Sequence, residues 1–257
     1  LNQCVSSAYG SRDRGAGYFG LYGACSTVIE AAIIAAMTID GGFAKRAVAI
    51  TSSHFCTAER QYRYPLNYGS VRPPSAQWTV TGSGCLLLTD EDIPNMPKIS
   101  AFCPGTIIDM GISDINNMGA AMAPAAADTL KKYFRDTKTS PDSYDLILTG
   151  DLGSIGHELV KTLLERENIS LGANYLDCGM MIFDADKQDV HAGGSGCGCC
   201  ASVLAAYVLP SNARYSLSLS LTSPIKKRSL SPYFLNLFAM INCLYSSLEY
   251  IMIFFGS

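Results

Sequence analysis

Two stretches of small and apolar residues, each led by a glycine-rich turn that carries cysteine, constrain this chain more than anything else in it. The first is YGACSTVIEAAIIAAMTIDGG, residues 22–42. Its run Ala31–Met37 contains no polar residue, and a helix that is apolar all round belongs in a core. Ser26 or Thr27 stands where a cap is needed, Glu30 falls near the first turn, and Gly41 and Gly42 end the helix. Cys25 is thereby placed at the N-terminal end of a buried helix, where the dipole and free N–H groups favour a thiolate. The second stretch, AGGSGCGCCASVLAAYVL (192–209), has the same form. The units 23–42 and 193–209 read as pseudo-equivalents that arose by duplication.

Strand and helix patterns alternate around these units. RAVAITSSH (46–54) reads as a buried strand, and TVTGSGCLLLTDE as the next strand region, its glycines marking a bulge or a close backbone approach. PKISAFCPGTIID, DLILTGD and GMMIFD read as further strands. Within INNMGAAMAPAAADTLKKYFRDTK a helix is expected to begin near Pro124, because proline is tolerated at the first helical position and costs about 3 kcal/mol in the interior. GHELVKTLLEREN is a helix with an apolar stripe at Leu159, Leu163 and Leu164. Such alternation argues for α/β with a largely parallel core. FCTAERQYRYPLNYGSVRPPSAQW reads as a long ordered loop of the kind that carries function.

The formal net charge of −3 gives no reason to expect nucleic acid as a partner. Three histidines, His54, His157 and His191, limit any imidazole-based site. The ten cysteines lie mostly in apolar or Gly/Ala-rich runs, where cysteine acts as a small hydrophobe. The CGCC at 197–200 has no second metal-spaced pair with histidine, so no metal and no cofactor is expected. The setting is a reducing compartment. No secretory signal opens the chain, and the start LNQCVSSAYG reads as the interior of a domain whose beginning is missing.

Cysteine before a buried helix, then GGFAKRAVAITSS, then TGSGCLLL resembles the first-half core of thiolase-fold condensing enzymes. The linked segments GACST, IDGGFAKRA, TSSH, TAERQYRYP, TVTGSG, MGAAMAPAAADT, YDLILTGDLGSIG, DCGMMI and AGGSGCGC resemble one branch much more closely, the stage V sporulation protein AD family, from about residue 1 to about residue 209. The resemblance implies a thiolase-like layered α/β/α fold with two pseudo-equivalent halves, truncated at the N-terminus and at the C-terminus. Residues 1–95 would be the remainder of the first half, 96–209 an incomplete second half, and 210–257 an atypical apolar tail. It further implies a protein of bacterial spores or forespores, peripheral on the inner membrane and otherwise cytoplasmic. Such a protein would bind dipicolinic acid or its calcium chelate and work with membrane subunits of the same channel in uptake and germination. A homodimer would fit the thiolase fold.

Whether Cys25 does chemistry turns on its partners, since a condensing enzyme also needs groups that stabilise an oxyanion and activate the second substrate. In the related synthases these are a His and an Asn, or two His, in the second half. Here Asp151 stands near the first position, and Gly194 and Ser195 at the second. An ionised aspartate only accepts hydrogen bonds, and glycine offers only backbone. His157 and His191 fall on the wrong elements and are expected to be exposed or capping. Binding is therefore preferred over catalysis, with a Cys25-dependent acyltransferase or 3-oxoacyl synthase as the alternative. A flat dianion needs cations or N–H donors at both ends and flat walls between. The expected ligand contacts are Cys25, Ser26, His54, Arg60, Arg63, Asp151, Gly194 and Ser195, with ring faces from Tyr62, Tyr64 and Tyr68 and backbone donors from both glycine-led turns.

Past residue 209 the sequence changes character. A Ser/Leu-rich piece with KKR precedes about 23 mostly apolar residues, enough to span a bilayer. Three readings compete: a reading-frame artefact, which is preferred; a membrane anchor, against which Asn242 and Glu249 count; and core strands in unfamiliar sequence.

Overall fold

A computed structural model describes residues 2–21, 23–54, 71–94, 96–211 and 252–255. The helices are α1 (Asn2–Ser11), α2 (Thr27–Asp40), α3 (Met118–Thr137), α4 (Gly153–Glu165), the short α5 (Cys178–Met181) and α6 (Cys197–Val203). The strands are β1 (Arg46–Ser53), β2 (Trp78–Thr79), β3 (Gly82–Thr89), β4 (Leu146–Thr149), β5 (Tyr175–Asp177), β6 (Gly194–Ser195) and β7 (Met252–Phe255). β1 and β3 pair antiparallel, from Arg46 opposite Thr89 to Ser53 opposite Gly82. β4 lies between β5, which runs parallel to it, and β7, which runs antiparallel. β2 and β6 form a two-residue parallel pair, Trp78 beside Gly194 and Thr79 beside Ser195.

The apolar residues sort into two cores. One gathers α3 and α4 with Ile147 of β4; the other gathers α2, α6, β1 and β3 with Leu148 of β4. Because consecutive strand residues face opposite ways, β4 separates two helical layers, α3/α4 on one side and α2/α6 on the other. The β1–β3 ribbon closes the second of these. Thus α2 and α6 are the central helices, and their glycine-led turns meet.

Several local expectations change. α2 buries one face only, Val28, Ile29, Ala32 and Ala35, and leaves Met37 half exposed. Neither Ser26 nor Thr27 caps it from the front. The Ser26 hydroxyl donates back to the Gly23 carbonyl, and the Thr27 hydroxyl donates to the Ala24 carbonyl at 2.7 Å and accepts from the Gly23 amide at 3.2 Å. β1 is buried on one side: Ala49, Thr51 and Ser53 point at the helices, while Val48 and Ile50, with Leu87 of β3, are exposed, since α2 and α6 cover a single face.

α3 starts six residues before Pro124, at Met118. Asn117 caps it by accepting from the Ala120 amide at 3.1 Å. The first turn also packs so tightly on α4 that a Cβ on Gly119 would meet the Leu152 carbonyl at 2.6 Å. Tertiary contact here outweighs the proline cost. Residues 97–113 form no strand; Pro97 and Pro104 have no N–H for a ladder. GMMIFD is not a strand either. The strand lies just upstream as Tyr175–Asp177, and the Asp177 side chain then caps α5 by accepting from the Gly179 amide. In the tail, Met252–Phe255 pair with β4, and the rest of 210–257 past Ser211 lies outside the described residues. No helix among the described residues is long and apolar enough to cross a membrane.

At Gly84 a Cβ would sit 2.3 Å from the Ala201 carbonyl of α6. Gly84→Ala is therefore expected to push α6 off the ribbon and lower stability by about 2 kcal/mol. A urea midpoint equal to wild type would contradict this packing.

Candidate functional site

Cys25 lies in a single 3₁₀ turn, Ala24–Ser26, that feeds into α2, and it is buried. The turn is sharp: Ala24 takes φ +50°, a left-handed conformation that a residue with a side chain seldom adopts. The Cys25 sulfur faces the Ser195 hydroxyl of β6 at 3.9 Å. Ser195 in turn donates to Asp151 Oδ2 at 2.9 Å, and the Gly196 amide donates to the same oxygen at 3.1 Å. Ser195 has one hydroxyl hydrogen, and Asp151 takes it. In the Cys25–Ser195 contact the serine oxygen is thus the acceptor.

Two further residues build the floor. Gln77, just before β2, donates its amide to the Asp151 carbonyl at 2.6 Å and to the Gly194 carbonyl at 3.2 Å, clamping both turns; its amide oxygen is buried and has no hydrogen-bond partner among the described residues. Asp177, at the end of β5, receives the Thr149 hydroxyl at 2.6 Å and the Leu152, Gly153 and Gly179 amides, each at 2.9 Å. Burial pushes its carboxyl up to about 7, against the pull of the Thr149 hydroxyl and the backbone amides and with added repulsion from Asp151.

Of the expected contacts, the fold brings together Cys25, Asp151, Gly194 and Ser195, though Gly194 contributes backbone alone. Ser26 is buried but directs its hydroxyl to Gly23. His54 is exposed directly after β1. Arg60, Arg63, Tyr62, Tyr64 and Tyr68 lie outside the described residues. His157, expected to be exposed or capping, is instead buried in α4: its ring stacks on Tyr175 at 4.3 Å, and one nitrogen is 3.2 Å from the Tyr175 carbonyl. His191 sits 3.1 Å from Asp189. Gln77 and Asp177 were not legible as site residues. An aspartate ahead of Cys-Gly is a helix-cap signal, but reading 179–184 as a strand hides it.

A family model described as Stage V sporulation protein AD matches residues 1–221. The curated Stage V sporulation protein AD of Bacillus subtilis (strain 168) is 46% identical over 208 residues, which cover 81% of this chain and 61% of that protein. The chain belongs to the stage V sporulation protein AD family. It spans less than two thirds of that relative's length, and the family match runs past residue 209, where the sequence resemblance was expected to stop.

Solved structures with a similar fold include two acyl-carrier-protein synthases and a tetronic acid condensing enzyme. The 3-oxoacyl-[acyl-carrier-protein] synthase III of Aquifex aeolicus superposes with a TM-score of 0.58 at 12% identity, covering 98% of this chain and 71% of the enzyme. The synthase III of Pseudomonas aeruginosa gives 0.53 at 12% identity, covering 95% and 68%. The tetronic acid condensing enzyme AbyA1 gives 0.54 at 13%, covering 97% and 73%. The fold of this sporulation-family chain is thus thiolase-like α/β.

The position of Asp177 has a pH signature. A carboxyl raised from 3.8 to about 7 in the folded state contributes stability that is complete below 3.8 and is lost as pH rises through 7. Asp177→Asn removes that titration. The variant should therefore gain stability relative to wild type across this interval, by roughly 4 kcal/mol in total. Urea unfolding at pH 5 and pH 8 checks this; a pH-independent difference would contradict it.

Proposed function

We propose that this chain binds dipicolinic acid, free or as its calcium chelate, without turning it over, at the cluster of Cys25, Asp151 and Ser195. Membership of the sporulation family supports the ligand class. The observation that carries the non-catalytic part is the bonding order at the cysteine. Cys25 faces a serine whose hydrogen is committed to a carboxylate, so this contact neither withdraws the thiol proton nor donates to an oxyanion. Cations for a dianion come from the segment after β1, with His54 at its start and Arg60 and Arg63 within it. The protein would act peripherally on the spore inner membrane beside membrane subunits of the same channel.

Calorimetry with dipicolinate against benzoate tests this reading. Binding of dipicolinate at least tenfold tighter than benzoate is expected, because the second carboxylate adds a charge-assisted contact. Equal and negligible heats from a full-length family member would end it.

The strained turn that presents Cys25, on a fold shared with acyl-carrier synthases, favours a second reading as an acyltransferase. Incubation with acyl-CoA followed by mass spectrometry separates the two: the binding reading expects no acyl adduct on Cys25.

A further inference from the structure

We infer that Asp177 is a positioning residue for this site, which holds Asp151, and through it Ser195 and Cys25, in register by gripping the turn on which Asp151 sits, and which releases that turn when it takes up a proton. As a control on ligand capture this rests on the binding reading above; as a contact within the protein it does not.

The grip is specific. Asp151 lies between Thr149 and Leu152, and both flanks are tied to Asp177 Oδ2, by the Thr149 hydroxyl and the Leu152 amide. The other oxygen holds Gly153, at φ +65°, and Gly179. One carboxylate thus joins β4, the start of α4 and α5, while its own backbone ends β5.

Protonation has a built-in route. If Oδ2 carries hydrogen, it donates to Thr149 Oγ1, and the Thr149 hydrogen turns to the Leu176 carbonyl, already 3.3 Å away. Three contacts survive this exchange. The Leu152 amide is the loser, because the oxygen it needs has become a hydroxyl, a far weaker acceptor than a carboxylate. Leu152 is the residue after Asp151, so loosening falls on the arm that presents Asp151 to Ser195 and Gly196. Burial places this titration near neutrality.

The titratable groups around Asp177 are Asp151 on the turn, Tyr175 and Cys178 on its own segment, and His157 and Glu158 of α4 beyond Tyr175. Of these, only histidine is a type that ordinarily changes charge near pH 7, so His157→Gln serves as the control.

The test is hydrogen exchange on the full chain without ligand, following the Leu152 and Gly196 amides from pH 6 to pH 8 as protection factors corrected for intrinsic exchange. In wild type and in His157→Gln, protection at both amides is expected to fall roughly tenfold toward pH 6. This fall should occur while global stability holds or rises, the opposite of what general acid loosening would give. In Asp177→Asn, whose NH₂ group opposes the Leu152 amide, protection should stay at the low value at every pH. Wild-type protection that is flat with pH overturns the inference without any variant. So does a pH response that survives in Asp177→Asn or vanishes in His157→Gln. A separate calorimetric arm should show dipicolinate binding about tenfold weaker at pH 6 than at pH 8. Absence of dipicolinate binding at both would refute the proposed function and leave the exchange result standing.

Discussion

The site depends on backbones approaching more closely than side chains would permit. A Cβ on Gly179 would lie 2.4 Å from the Gly194 carbonyl, and one on Gly84 would lie 2.3 Å from the Ala201 carbonyl. These contacts seat the turn before α6 against α5 and seat α6 against the β1–β3 ribbon. Only in that arrangement do Cys25 and Ser195, 170 residues apart, come within 3.9 Å. These glycines bring no side chain to the site, yet a larger residue would not let the site assemble.

The same frame serves catalysts elsewhere, and the difference here lies in the second-half groups. An imidazole beside a cysteine accepts the thiol proton and later donates to an oxyanion. Here the cysteine meets a serine whose hydroxyl hydrogen and the neighbouring Gly196 amide both go to one oxygen of Asp151. On the proposed binding reading, fold and function separate at Asp151 and Ser195.

Much of this was legible in the sequence, and the boundary is instructive. The two glycine-led turns and their helices follow from patterns that repeat within the chain, whereas Asp151 and the 194–195 segment are assigned to one site by the resemblance to the synthases. What failed did so where distant contacts override local signals. Pro124 reads as a helix start, but the Asn117 cap and the Gly119 contact extend α3 back to Met118. Val48 and Ile50 read as core, but a strand residue is buried only if a layer covers it. Asp177 and Gln77 escaped notice because most of their partners are distant in sequence, Asp177 reaching amides 24 and 25 residues away and Gln77 carbonyls 74 and 117 residues away. Such partners leave no local pattern.

The charge at the floor restricts how a dianion can enter. Asp151 and Asp177 are both buried; Asp177 takes donors on both oxygens, and Asp151 takes two on Oδ2. Placing a ligand carboxylate against Asp151 would set like charges together where water cannot screen them, at a cost far above any single hydrogen bond. For dipicolinate to be held here as proposed, its carboxylates must point away from Asp151. Its ring would then lie against the thiol and hydroxyl of Cys25 and Ser195. A bridging cation relaxes this requirement, since it would let one ligand carboxylate approach the anionic floor. The orientation of the ligand is thus tied to its charge state, and the carboxylates of the floor are the reason.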